Sequence, residues 1–436
     1  MSALARYFKA RGVAVSGYDK TATTLTGRLV KEGIAVHYEE DIKLLDPQAD
    51  LVVFTPAVPN EHRELNFFRD HNYRVVKRSD ALGAITANSY NICIAGTHGK
   101  TTISSMIGHI LRHSGFGCNA FLGGIAVNYD SNFWSDERNV CVVEADEYDR
   151  SFLKLSPDIA IISSMDADHL DIYSTVENLE EAFIEFSTKL KPGGTLLSRF
   201  GLKRNADLNA ARHITYHISD INADVFARDI RTQSGSYHFE LVMKDRPLTD
   251  MVLNMGGIHN IENALAAIAT AVLLDIPEDK IRKALADFRG VKRRFEYIVR
   301  NEKQIYIDDY AHHPEELRAL ISGAKALFAG KKCTVIFQPH LYSRTRDLAE
   351  GFAESLDLAD EVILMPIYPA RELPIEGVGS EMILDKMKLK NKSIMAGEEL
   401  PGWIKENNIE LIITAGAGDI DKMVEPIKNM LETIEK

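Results

Sequence analysis

Ile92-Cys93-Ile94-Ala95-Gly96-Thr97-His98-Gly99-Lys100-Thr101-Thr102 is the stretch on which the fold turns. Four apolar residues read as a strand, and a glycine loop follows. Beyond the loop Ile103, Met106, Ile107, Ile110 and Leu111 recur at helical spacing. Strand, glycine loop and helix N-terminus in that order make a phosphate cradle, because unpaired backbone N–H groups and the helix dipole converge on an anion. The cradle comprises Gly96, Thr97, His98, Gly99, Lys100, Thr101 and Thr102. In such a loop the lysine reaches the β- and γ-phosphates of ATP and the following hydroxyl, here that of Thr101, binds Mg²⁺. The common pattern GxxxxGK[ST] asks for another glycine where this chain has Ile94, so the loop is a shortened variant.

Working outward, Val142-Val143-Glu144-Ala145-Asp146-Glu147-Tyr148-Asp149 runs an apolar strand into four carboxylates. Like charges crowd together at a strand end when a cation is present, and Mg²⁺ with its nucleotide supplies one. Asp166-Ala167-Asp168-His169-Leu170-Asp171 follows the apolar segment DIAIISSM and is expected at the same sheet edge, with His169 as a metal ligand or phosphate contact. Further on, Asp308-Asp309-Tyr310-Ala311-His312-His313-Pro314 joins a strand to a helix opened by Pro314 and Glu315. Gln338 to Asp347 carries Arg344 and Arg346, two guanidinium forks suited to a carboxylate or phosphate. A surface salt-bridge pair is the plainer reading of that segment alone. Gly416-Ala417-Gly418-Asp419 is a glycine turn with no specificity of its own.

The rest of the chain divides into three α/β blocks. Residues 1–85 alternate helical (Ser2–Gly12, TLTGRLVKEG, NEHRELNFFRDH) and strand-like (VAVSG, VVF, YRVV) segments, and open with a helix where a doubly wound domain opens with a strand. Residues 86–295 hold the cradle, a β-rich stretch around 213–255 and the apolar helix NALAAIATAVLL. Residues 296–436 carry strands QIYIDD, CTVIFQ, EVILMP and ELIITAG between helical segments. The expected fold class is therefore α/β, with three α/β domains whose clefts receive ligands.

Composition agrees with an ordinary globular protein of 436 residues, 45% hydrophobic and 26% charged. The net charge of −12 argues against nonspecific binding of nucleic acid or an anionic membrane. The four cysteines form no CxxC pair, and the longest apolar run, Ala264 to Leu274, is far shorter than the ~20 residues of a membrane span. A cytoplasmic protein with reduced thiols is the expectation.

The ordered set GTHGKTT, EADEYDRSF, DADHLDIY, GIHNIENALAAIA, GVKRRFE, DDYAHHP, QPHLYSRTRD and GAGD, spanning nearly the whole chain, resembles the Mur ligase family. The resemblance implies a Rossmann-like N-terminal domain for a UDP-sugar, a central P-loop ATPase domain and a Rossmann-like C-terminal domain for an amino acid. It implies ATP-dependent ligation of L-alanine to the lactyl carboxylate of UDP-N-acetylmuramate through an acyl phosphate, in peptidoglycan precursor synthesis. It further implies that Lys100 stabilises the transferring phosphoryl group, that Thr101 and Glu144 hold one Mg²⁺ and that His169 serves a second. By the same resemblance Asn263 reads adenine and Arg294 contacts the nucleotide. Asp309 and His312 lie in a loop facing nucleotide and amino acid, and Arg344 grips the amino-acid carboxylate. Many relatives carry a second basic residue where this chain has Leu341. Relatives also begin with a strand and a GxGGxGMS loop whose end aligns with Met1-Ser2. On that reading the natural gene product starts some ten or more residues earlier, and the chain as given binds the UDP-sugar weakly. Two other readings stay open: the tripeptide-recycling ligase of the same family, and a nucleotide-binding protein without ligase turnover.

Overall fold

The computed structural model describes residues 1–168, 170–243, 246–370 and 372–434. Its strands form four sheets. The N-terminal unit opens with the amphipathic helix Ser2–Ala10, whose Leu4 and Tyr7 are buried. Tyr7 meets Phe121 and Phe133 of the central unit with ring centroids 5.4 and 6.1 Å apart. Arg6 of the same helix holds both Glu32 carboxylate oxygens at 2.7 Å and the Asn132 side-chain oxygen at 2.6 Å. Such a bidentate fork, withdrawn from water, fixes the angle at which the helix docks. The sequence leads us to expect a parallel α/β unit that opens with a helix in place of its first strand. Its four short strands form two separate parallel pairs, Ser16–Tyr18 with Ala35–His37 and Val52–Phe54 with Val75–Lys77. Among the described residues no strand lies between the pairs to join them.

The central unit is built on a ten-stranded sheet in the order Arg246–Leu253, Ser236–Met243, Val225–Gln233, Arg212–His217, Thr195–Arg199, Ile159–Ile162, Tyr90–Ala95, Val140–Glu144, Asn119–Ala126 and Ser131–Trp134. Its middle strands are parallel and continuously apolar because helices cover both faces, and Ile92, Cys93, Ile94 and Ala95 have no exposed surface. The Lys100–His113 helix packs against the Ala-rich His259–Leu273 helix, which is apolar on nearly every side and correspondingly buried. The far end of the Lys100–His113 helix is pinned by His109. Its Nε2–H donates to the Ala284 carbonyl at 2.9 Å and its Nδ1 accepts from the Tyr129 hydroxyl at 2.9 Å. That pairing defines the neutral tautomer, and burial lowers the imidazole to about 4.

The C-terminal unit has a six-stranded sheet ordered Glu296–Arg300, Ile305–Asp309, Leu411–Ala415, Cys333–Phe337, Glu361–Leu364 and Lys392–Ile394, parallel except for its first strand. All four cysteines are free and buried. Burial pushes the Cys118 and Cys333 thiols up to about 12. Among the described residues no helix is long and apolar enough to cross a membrane.

Parallel neighbours place their carboxyl ends together. The loops after Ala95, Glu144 and Ile162 therefore gather at one edge of the central sheet, and those after Asp309, Phe337 and Ala415 gather at one edge of the C-terminal sheet.

Candidate nucleotide and ligation site

The cradle is closed against the Ser163-Ser164 turn. Ser164 Oγ accepts the His98 N–H at 2.7 Å and lies 2.8 Å from Thr97 Oγ1, while Ser163 Oγ hydrogen-bonds the His98 carbonyl. The turn comes close enough that a Cβ on Gly96 would meet Ser163 Oγ at 2.2 Å, so only glycine fits. Gly99 caps the Lys100–His113 helix in the left-handed region, at φ 86°. Its open face lies against Asn263, whose Nδ2 donates to Asn260 Oδ1 at 2.9 Å. The residue expected to read adenine is thus part of the cradle wall. Thr101 and Thr102 are buried and His98 is exposed.

The four carboxylates of the 144–149 loop face different partners. Glu144 accepts the Thr101 hydroxyl at 3.0 Å through one oxygen and the Gly123 N–H at 2.8 Å through the other. Glu147, with no exposed surface, pairs with the Lys100 ammonium at 2.7 Å. Asp146 and Asp149 face the N-terminal unit, 3.8 Å from Arg78 and 3.2 Å from Lys77. His169 lies outside the described residues, and its neighbour Asp166 donates its N–H to Thr97 Oγ1 at 3.2 Å. A cavity of about 90 Å³ between the units is lined by Leu4, Arg78, Phe121, Gly123, Glu144 and Asp146, among others.

The segment joining the central and C-terminal units holds Arg293 and Phe295 at φ 59° and 49°, a conformation costly for bulky residues. C-terminal groups fix it there. Asp309 accepts the N–H groups of Phe295 and Ala311 at 2.6 and 2.7 Å, and Arg293 reaches Asp308 at 3.2 Å and the Gly416 carbonyl at 2.5 Å. Arg294, between the two strained residues, is close enough for its charge to act on Asp309. Burial raises the Asp308 carboxyl to about 7 despite Arg293 and the Thr414 hydroxyl.

His312 holds its Nδ1 2.9 Å from the Tyr310 carbonyl, which requires a proton on Nδ1. His340 stacks on Tyr368 and lies 6.3 Å from His312, ring centroid to centroid. Arg344 acts electrostatically on both His313 and His340, and its buried Nη1 has no hydrogen-bond partner among the described residues. Arg346 donates through its Nε to its neighbour Asp347 at 2.7 Å. Leu341 stands at φ 70° directly before the helix that carries Arg344.

Ser163, Ser164, Gly123 and Tyr173 belong to the site and were not singled out in the sequence. Small polar residues straight after the strand Ile159–Ile162 were the available signal for the serines. Gly123 had none, since its role is to let Glu144 approach: a Cβ there would meet the carboxylate at 2.4 Å.

Three family models cover nearly all of this architecture. The Mur ligase family catalytic domain matches residues 1–90, the Mur ligase middle domain residues 94–271 and the Mur ligase glutamate ligase domain residues 293–419. The chain belongs to the Mur ligase family, enzymes that form an amide bond at the expense of ATP. Within the family, the UDP-N-acetylmuramate--L-alanine ligase of Flavobacterium johnsoniae is 47% identical over 437 residues, covering 99% of this chain and 95% of that protein. The crystal structure of UDP-N-acetylmuramate-alanine ligase from Thermotoga maritima superposes with a TM-score of 0.85 at 27% identity, over 100% of this chain and 97% of that one. A murein peptide ligase from Psychrobacter arcticus shares the fold at a TM-score of 0.66 and 22% identity, over 99% and 96% of the two chains.

Proposed function

We propose that this chain joins L-alanine to the lactyl carboxylate of UDP-N-acetylmuramate with hydrolysis of ATP, in the cytoplasm, as a step of peptidoglycan precursor synthesis. The observation that carries the reading is the meeting of Lys100, Thr101 and Glu144 at one sheet edge, within a loop shaped for phosphate. A carboxylate is a poor electrophile until its oxygen becomes part of a leaving group. Its attack on the γ-phosphorus of ATP expels ADP and gives an acyl phosphate; the amine of alanine then attacks the acyl carbon and phosphate departs. The protein's part is alignment and charge neutralisation.

In this reading residues 1–85 bind the UDP-sugar, 86–295 bind ATP and 296–436 bind the amino acid. The cavity beside Glu144 has room for only the lactyl end of the acceptor, where Leu4 and Phe121 would meet its methyl and Arg78 its carboxylate. The Thr101 hydroxyl and Glu144 carboxylate, 3.0 Å apart, fit Mg²⁺, which keeps few protein ligands beside nucleotide phosphates. When bound, Mg²⁺ neutralises charge on the transferring phosphoryl group. In this reading the Arg344 guanidinium pairs with the alanine carboxylate, and a neutral His312, its Nδ1–H held at the Tyr310 carbonyl, would take the proton the alanine ammonium must lose.

The test is phosphate release measured with UDP-N-acetylmuramate across a panel of amino acids and the tripeptide. Release should require the sugar nucleotide and L-alanine together, and Lys100→Ala should lower it on the order of a thousandfold while the protein stays folded. Preference for the tripeptide would assign the recycling reaction instead. ATP binding without release would reduce the chain to a nucleotide-binding protein.

A further inference from the structure

A lysine in a phosphate loop is effective only if its ammonium stands where charge develops, yet its side chain is long and free to rotate. Here it is held before any phosphate arrives. The Lys100 Nζ lies 2.6 Å from the Gly96 carbonyl and 2.7 Å from Glu147 Oε1. An ammonium has three N–H donors, so these contacts use two and leave one.

Both holders are themselves fixed. Gly96 is wedged against Ser163 and Ser164. Glu147 has no exposed surface, and its backbone carbonyl accepts the Tyr173 hydroxyl at 2.6 Å and the Arg150 N–H at 2.9 Å. Tyr173 is itself buried. Glu147 therefore differs from the other carboxylates of its loop: Glu144 faces Thr101, Asp146 and Asp149 face the N-terminal unit, and Glu147 faces the lysine.

We propose that Glu147 is a positioning residue for phosphoryl transfer, which with the Gly96 carbonyl holds the Lys100 ammonium so that its remaining N–H serves the transferring phosphate. The proposal rests on the assignment of residues 96–102 as the nucleotide cradle. It has a cost that makes it testable. A carboxylate beside the cradle repels the incoming phosphates, so Glu147 opposes ATP binding while it favours the chemical step.

The experiment compares wild type, Glu147→Gln, Lys100→Ala and the double variant Lys100→Ala/Glu147→Gln. ATP binding with Mg²⁺ is followed by calorimetry, turnover by phosphate release and folding by Tm. Glu147→Gln should lower kcat roughly 10- to 100-fold while ATP binds as tightly as in wild type or more tightly. In the Lys100→Ala background the same change should alter the residual kcat by less than about twofold, because Glu147 acts through the lysine. Glu147→Asp keeps the charge but falls a methylene short. It should lower kcat without tightening ATP, and serves in place of Glu147→Gln if that variant is unstable. Equal loss in both backgrounds, a loss of ATP affinity in step with kcat, or wild-type kcat in Glu147→Asp would overturn the proposal. Full turnover in Lys100→Ala would instead remove the cradle assignment beneath it.

Discussion

A methyl group on Gly99 would come within 2.7 Å of the Asn263 side-chain oxygen, so the cap of the cradle helix and the amide expected to read adenine are in direct steric register. Gly99→Ala should therefore do two things at once. It adds about 1–2 kcal/mol of left-handed backbone strain and pushes Asn263 out of place. The expected outcome is an ATP KM raised tenfold or more with a far-UV spectrum unchanged; an unchanged KM would separate Asn263 from the nucleotide.

Glu144→Ala removes the partner of both the Thr101 hydroxyl and the Gly123 N–H. Because Mg²⁺ relies on few protein oxygens, the concentration for half-maximal activity should rise at least tenfold. Titration of phosphate release with MgCl₂ checks this, and an unmoved midpoint would leave Glu144 with a purely structural role.

Arg344→Ala should raise the KM for L-alanine about 10- to 100-fold and leave the KM for ATP near its starting value. A charge-assisted hydrogen bond contributes about 1.5–3 kcal/mol, and the buried Arg344 Nη1 has a donor to offer. Arg346→Ala should change neither constant, since that guanidinium is turned to Asp347.

His109 makes stability depend on pH. Its folded pKa of about 4 lies below the ordinary 6.5, so between those values the unfolded chain takes up the proton and the folded one does not. The contribution is complete above pH 6.5 and is lost as the pH falls toward 4. The lost contribution is roughly 3 kcal/mol for a shift of this size. Urea midpoints measured across this range should fall with acid in the wild type and fall less in His109→Gln.

The strand, glycine loop and helix between Ile92 and Leu111 were legible because three independent local signals coincide there: a β-prone apolar run, glycines at the turn, and helical periodicity. The strand-end loops of the C-terminal unit were legible for a similar reason. Whatever depends on partners distant in sequence was not. Glu144 and Glu147 are the same residue type three positions apart, and only the packing of Tyr173 and Gly123 decides which faces the lysine and which the threonine. The left-handed turns at Arg293 and Phe295 carry no local mark either, being held by carboxylates from another unit.

The buried thiols give the protein a built-in reporter. Cys93, Cys118 and Cys141 lie within the central sheet unit and Cys333 lies in the C-terminal one, and burial raises all four thiols above the ordinary value. A maleimide or an aromatic disulfide reagent can modify them only in molecules that have opened, because the thiolate is the reactive species and it needs access. Labelling therefore counts excursions from the native state rather than surface chemistry. The peptide in which the label is found tells which sheet came apart, so mass spectrometry of a timed pulse would order the opening of the two units on one molecule without any engineered probe.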